Sequence, residues 1–342
     1  MVERPLRFRK RGAEVNRPID RNVAMELARV TEAAALMAAR WMGRGDKEAA
    51  DQAAVDAMRL VLGTVAIDGI VVIGEGAKDE APMLFVGEQV GAAEFPKVDI
   101  AVDPIDGTRL LSLGMPNAIS VVAVADRGSL FASPDIMYME KIVVGIEAAD
   151  AIDLDASPAE NLRNIARAKK CEINDLTIVV LDRPRHQTLL AEIRDAGARL
   201  KVITDGDVAG AVMAVSPGTG VDALFGIGGA PEGVVAACAI KCLGGAIQCR
   251  LWPRNDDERR IALEKRIDVT SILTQDDLVK SDNVFFAATG ITDGELLQGV
   301  HFFGDGASTE SLVMRSKTGT VRRIAATHRM SKLRQLSSLP FD

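Results

Sequence analysis

The sequence predicts an α/β protein, and two features carry that reading. The first is a run of three strand–loop–helix units in the second half of the chain, each an apolar β-rich stretch followed by a polar or glycine-rich loop and an apolar-periodic helix. In order they are strand Thr177–Leu181 with loop Asp182-Arg183-Pro184-Arg185-His186, strand 200–203 with loop Asp205-Gly206-Asp207, and strand 221–225 with a glycine-rich loop over 226–233. Right-handed crossovers between such units imply a mostly parallel layer with its polar loops along one edge. The second feature is residues 98–108, Val-Asp-Ile-Ala-Val-Asp-Pro-Ile-Asp-Gly-Thr, an apolar strand pattern that ends in carboxylates, a proline, a glycine and a hydroxyl. It reads as a strand entering a tight turn, with Asp103, Asp106 and Thr108 together at its carboxyl end. Open α/β sheets hold ligands at that edge.

The chain begins with a short basic tail, Arg4-Pro5-Leu6-Arg7-Phe8-Arg9-Lys10-Arg11. Val23, Leu27, Val30, Ala34, Met37 and Trp41 then recur at helical spacing up to a stop at Gly43. Asp46 is placed to cap a second helix through Asp51, Val55, Met58 and Leu62, with Lys47 and Asp51 on one face. That pair suits a solvated salt bridge as well as a functional role. An uninterrupted apolar strand at 70–73 ends in Gly74-Glu75-Gly76, where Glu75 is either an exposed loop carboxylate or a counterpart of Asp103. A strand at 119–124 leads to a turn at Asp126-Arg127-Gly128, and Tyr138 reads as an interior ring with one polar handle. Strand-like residues at 283–288 and 309–314 complete the sheets. The organisation expected is a basic tail (1–21), an α+β half (22–155) and an α/β half (156–342), the two halves tightly packed.

Composition narrows the function. The 342 residues are 48% hydrophobic and 26% charged, ordinary for a globular chain able to bury a large core. A net charge of −7 argues against nonspecific nucleic-acid binding, and an aromatic content of 4% leaves little for base or sugar stacking. Cys171, Cys238, Cys242 and Cys249 lack zinc spacing and read as small core residues in a reducing cytoplasm. With no 18-residue apolar span and no secretory segment, a cytoplasmic protein without a membrane partner is expected.

Asp51, Glu75, Asp103, Asp106 and Glu232 form an acidic set suited to oxygen-ligated cations such as Mg²⁺ or Mn²⁺. Taken singly, each also fits a structural role: Glu232, after Pro231, is well placed in a first helical turn, and the Asp-Pro and Asp-Gly pairs suit caps. Arg183-Pro184-Arg185 presents two guanidinium forks that fit a phosphate, or simply a solvated surface. The glycine-rich loop has Pro231 where a dinucleotide fingerprint needs its third glycine, and no Walker A sequence occurs. His186, His301 and His328 share no ligand spacing, and no nucleophile elbow is present. Metal-assisted hydrolysis is favoured over covalent catalysis.

Six motifs in order then resemble class II fructose-1,6-bisphosphatases: Trp41-Met42-Gly43-Arg44-Gly45-Asp46-Lys47 with Asp51; Val72-Ile73-Gly74-Glu75-Gly76 with Asp79-Glu80-Ala81-Pro82-Met83; Asp103-Pro104-Ile105-Asp106-Gly107-Thr108; Asp182-Arg183-Pro184-Arg185-His186; Asp205-Gly206-Asp207-Val208-Ala209; and Gly228-Gly229-Ala230-Pro231-Glu232-Gly233. The Asp-Pro-Ile-Asp-Gly-Thr element alone resembles the wider lithium-sensitive sugar and inositol phosphatase superfamily. The resemblance implies a layered αβαβα sandwich with mixed sheets, and Mg²⁺- or Mn²⁺-dependent hydrolysis of the 1-phosphate of fructose 1,6-bisphosphate in gluconeogenesis. It implies that Asp51 and Glu75 hold one metal and Asp103, Asp106 and Glu232 another, so that residues 22–155 form a metal-binding half and 156–342 a sugar-phosphate-binding half. Thr108 would position or deprotonate the attacking water beside Asp106. Asp106, Gly107 and Thr108 would touch the reacting phosphate, and Tyr138, Arg183, Pro184, Arg185, Asp205, Gly206, Asp207 and Gly229 the sugar and distal phosphate. Many relatives carry Glu where Asp106 stands. A homodimer or homotetramer is expected. Competing readings are a seven-carbon bisphosphate or an inositol phosphate as substrate, and a non-catalytic phosphosugar-binding regulator, against which the complete acidic set argues.

Overall fold

A computed structural model describes residues 23–75, 84–133 and 135–336. The basic tail, Gly76 and residues 79–83 singled out above lie outside the described residues. Helix α1 (Val23–Ala38) passes into a 3₁₀ turn at Ala39–Trp41 and is followed by α2 (Lys47–Leu62), with Asp46 Oδ1 accepting the Ala49 N–H at 3.0 Å as the expected cap. There follow β1 (Asp68–Ile73), β2 (Gln89–Val90), β3 (Lys97–Asp106), the short helix α3 (Thr108–Ser112), β4 (Ile119–Asp126) and β5 (Tyr138–Val144). The strand–helix units are α4 (Pro158–Lys169), β6 (Thr177–Leu181), α5 (Gln187–Asp195), β7 (Arg199–Ile203), α6 (Asp207–Val215), β8 (Ala223–Gly229) and α7 (Ala230–Leu243). The chain closes with β9 (Ala246–Leu251), α8 (Asp256–Lys265), β10 (Leu273–Thr274), α9 (Gln275–Leu278), β11 (Phe285–Gly290), β12 (His301–Phe303), β13 (Gly306–Arg315), β14 (Thr320–Arg329) and α10 (Met330–Leu336).

The strands form two mixed sheets. One runs β12-β13-β11-β4-β3-β1-β2, with β14 also paired to β13; the other runs β10-β9-β5-β8-β6-β7. Strands β7, β6 and β8 are parallel neighbours, as the repeated units predict. The layer is nonetheless not mostly parallel, because β5 enters antiparallel between β8 and β9, and β10 adds another antiparallel pair. Nor does sheet membership follow the 155/156 division. Strand β5 precedes it and lies in the second sheet, whereas β11 to β14 follow it and lie in the first.

Strand alternation builds the layers. In β4, Val122 and Val124 face α1 and α2, while Ile119, Val121 and Ala123 face α6 and α7. The second sheet packs Met139, Val143, Val179 and Ile247 on the opposite side of α6 and α7 and covers its outer face with α4 and α5. The result is a five-layer αβαβα sandwich, as the resemblance implies. Cys238, Cys242 and Cys249 are buried in the central core as small apolar residues. Among the described residues no helix is long and apolar enough to cross a membrane.

Three hydroxyls tie α1 to the first sheet: Thr31 Oγ1 lies 2.7 Å from Thr289 Oγ1, which lies 2.8 Å from Ser311 Oγ, all fully buried. Thr289→Val removes the central hydroxyl and leaves its neighbours short of a partner in a dry interface. A loss of about 1–2 kcal/mol is expected in urea unfolding, and an unchanged midpoint would show the chain of hydroxyls to be idle.

Candidate active site

Strand β3 carries the centre of the site. Val98, Ile100 and Val102 pack toward α1 and α2, so period-two alternation turns Asp103 to the other face, toward the central helices. The strand does not turn at Pro104 as expected. Pairing with β4 slips between Asp103 and Asp106, and β3 continues to Asp106 before Gly107, at φ 94°, leads into α3 at Thr108. The irregularity lets a proline sit inside a central strand and puts both aspartates on one cavity. The glycine-rich segment likewise departs from the expected loop, since β8 extends through Gly229 and pairs it with Tyr138. A Cβ at Gly228 would stand 2.0 Å from Asp207 Oδ2 and 2.9 Å from Lys141 Nζ, so close approach of that strand demands glycine.

The cavity, about 490 Å³, opens between the carboxyl end of β3, the first turns of α6 and α7, and the loop after β6. Glu75, Asp103, Asp106, Gly107, Thr108 and Glu232 line its acidic end. Tyr138, Arg183, Arg185, Asp205, Gly206, Asp207 and Gly229 line the remainder. Asp51 stands behind the wall, its Oδ1 accepting the Thr108 hydroxyl at 3.0 Å. Of the residues the resemblance assigns to metal or substrate, Pro184 is absent from the cavity lining; it starts a 3₁₀ turn and is exposed.

The acidic end is electrostatically crowded. Burial and then the Asp106 charge push the Asp103 carboxyl well above its ordinary value. Burial and then Asp207 do the same to Asp106, partly opposed by the Ala209 N–H of α6, which donates to Asp106 Oδ2 at 2.7 Å. Glu232 rises to about 7, by burial first and then Asp207, with Lys141 opposing. Asp51 rises to about 6, again chiefly by burial, against the Thr108 hydrogen bond.

At the other end the arginines are held by backbone. Arg185 Nη2 and Nε donate to the Ile227 carbonyl at 2.7 and 3.1 Å, and Arg183 Nη1 donates to the Thr204 carbonyl at 2.7 Å. Asp205 Oδ2 accepts the Arg109 N–H of α3 at 3.1 Å, and its Oδ1 lies 3.6 Å from Arg183 Nη2. Tyr138 is a half-buried wall of the cavity rather than an interior ring, with Arg185 and Arg254 5.1 and 5.3 Å from its ring centre.

Sequence reasoning missed Lys141 and Arg254. Lys141 is 2% exposed and donates to Asp207 Oδ2 at 2.5 Å and to the Gly229 carbonyl at 3.3 Å. A lysine inside the β-rich stretch Glu-Lys-Ile-Val-Val was its only signal. Arg254 lines the cavity from beyond β9, with no motif around it.

The donors present fit a hard divalent cation. Glu232 Oε2 is buried and finds no hydrogen-bond partner among the described residues, and the available ligands are carboxylate oxygens that repel one another. Among the described residues no group of three or more His, Cys, Asp or Glu side chains is arranged to hold a metal ion as it stands.

The profile of the family described as "Bacterial fructose-1,6-bisphosphatase, glpX-encoded" matches residues 21–328. Fructose-1,6-bisphosphatase 1 class 2 of Escherichia coli K12 is 47% identical over 325 residues, covering 91% of this chain and 96% of that relative. The class 2 fructose-1,6-bisphosphatases of E. coli O6:H1 and Shigella flexneri match with the same identity and coverage. The chain thus belongs to the bacterial class 2, glpX-type fructose-1,6-bisphosphatase family.

Proposed function

We propose that the protein hydrolyses the 1-phosphate of fructose 1,6-bisphosphate, with Mg²⁺ or Mn²⁺ held by Asp51, Glu75, Asp103, Asp106 and Glu232, as a cytoplasmic, self-associating enzyme of gluconeogenesis. The observation that carries this reading is a single cavity lined by both the carboxylate set and two backbone-held guanidiniums. Such a site takes a sugar with a phosphate at each end. Bound cations supply positive charge for the phosphoryl oxygens and the leaving alkoxide and acidify a water.

The side chains do the rest. Asp51 accepts the Thr108 proton, which turns the Thr108 oxygen lone pairs toward the cavity to take a proton from the attacking water. Asp106, Gly107 and Thr108, where β3 ends and α3 begins, contact the reacting phosphate. Arg183 and Arg185 hold the distal phosphate, so that binding energy far from the reaction aligns the phosphorus with the water. Asp207, held in place by Lys141 Nζ, and Asp205 accept sugar hydroxyls.

Phosphate release from fructose 1,6-bisphosphate, sedoheptulose 1,7-bisphosphate and an inositol phosphate, each with Mg²⁺, Mn²⁺ or chelator, tests the reading. Fastest turnover of the first, abolished by chelation, is expected; turnover that survives chelation would sink the metal assignment. Thr108→Ala should lower kcat on the order of 10²–10⁴-fold with an unchanged melting curve, Thr108→Ser less. Near-wild-type turnover of the alanine variant would remove Thr108 from the mechanism. Arg185→Ala should chiefly raise KM, and a flat KM would move the distal phosphate elsewhere.

The raised carboxyls also set a pH dependence. The stability contributed by Asp51 and Glu232 is whole below their ordinary values of 3.8 and 4.5 and is lost as pH rises through about 6 and about 7. Chelated protein should therefore melt at progressively lower temperature from about pH 5.5 to 8, and added Mg²⁺ or Mn²⁺ should restore more at the upper end. A cation-induced shift independent of pH would contradict this.

A further inference from the structure

Strands β6 and β8 begin as a parallel pair and then part. Their register matches Ile178 with Ala223 and Val179 with Leu224, and goes no further. Continued, it would set Leu181 opposite Gly226, and the next ladder bond would run from the Ile227 N–H to the Leu181 carbonyl. The His186 imidazole occupies that place. Its Nδ1 lies 2.7 Å from the Leu181 carbonyl oxygen, and its Nε2 accepts the Ile227 N–H at 2.8 Å. This pairing requires the tautomer with hydrogen on Nδ1. The ring is 1% exposed, and Gly226, at φ 131°, bends the strand around it; a Cβ there would stand 3.0 Å from Nε2. Burial, then Arg185, Arg183 and Lys141, lower the His186 pKa, which keeps the accepting lone pair on Nε2. On its far side Ile227 offers its carbonyl to both Arg185 donors.

We propose that His186 is a positioning residue: its ring replaces a strand-to-strand hydrogen bond, wedges β6 and β8 apart at their carboxyl ends, and sets the Ile227 carbonyl that aims Arg185 into the cavity. The inference rests on Arg185 binding the distal phosphate. Phenylalanine at this position fills the wedge but makes neither bond, whereas glutamine can donate through its amide nitrogen and accept through its oxygen.

His186→Phe should raise KM for fructose 1,6-bisphosphate ~10-fold, with kcat falling less, and His186→Gln should recover most of that loss. A wild-type KM in the phenylalanine variant, or a glutamine variant no better than it, would overturn the proposal. ¹⁵N-histidine NMR of the wild-type protein supplies a readout that needs no variant to fold. Among the three histidines of the chain, one signal pair should report a neutral ring protonated at Nδ1 at pH 7, absent from His186→Gln; an Nε2-protonated ring at His186 would overturn the wedge. If Arg185→Ala itself leaves KM unchanged, the phosphate reading fails, and the tautomer alone then decides whether the ring bridges the strands.

Discussion

Mutual repulsion among carboxylates, gathered where β3 meets the first turns of α6 and α7, is the constraint on which the rest of this structure depends. Burial raises the Asp103, Asp106 and Glu232 carboxyls, and each is pushed further by a neighbouring acid: Asp103 by Asp106, and Asp106 and Glu232 by Asp207. The fold offsets part of this with its own groups. The Ala209 N–H at the start of α6 takes one oxygen of Asp106, and the Lys141 ammonium takes one of Asp207. Glu232 Oε2 stays buried and finds no hydrogen-bond partner among the described residues.

Much of this was readable in the sequence because the elements that carry it are strongly patterned. The α1 stripe, the Asp46 cap, the three strand–helix units and the cysteines of the core all stand where local chemistry puts them. Sheet topology was less accessible. A strand buried on both faces is a run of apolar residues whether its neighbour is parallel or antiparallel, so nothing in Tyr-Met-Glu-Lys-Ile-Val-Val announces that β5 enters between β8 and β9. For the same reason, residues 285–329 gave no sign of returning to the first sheet. Pro104 and the glycines of β8 looked like punctuation. They became strand because one sits at a register slip and the others face side chains that leave no space for a Cβ.

The candidate site was legible to the extent that its residues cluster in short motifs. Asp103, Asp106 and Thr108 share one strand end, and Arg183 and Arg185 another, but the two strands, β3 and β6, lie in different sheets, so the convergence on one cavity required the layered packing. Lys141 was hidden because a lysine between apolar residues reads as the solvent face of a strand, and only the packing of Asp207 and Gly228 against it reveals an internal counter-charge. Asp106 reaches the α6 amide at 2.7 Å, so its side chain joins the first sheet to the central helices.

The two ends of the cavity are organised on opposite principles. At the acidic end, charge is left unbalanced and the ligands that balance it must arrive from solution. At the arginine end, donors are already committed: Arg185 spends two on Ile227, and Arg183 one each on Thr204 and Asp182. A guanidinium has five N–H donors, so each arginine retains donors for a phosphate after its orientation is fixed. The rotamer entropy of a free arginine side chain, about 2 kcal/mol, is therefore surrendered during folding instead of on substrate binding. On the function proposed above, a phosphate docking there would meet a rigid fork, whereas the phosphate at the carboxylate end would meet a site completed by the proposed cations. Distal binding can then fix the sugar before the reacting end is assembled, and the geometry of the reaction is set by the part of the site that changes least.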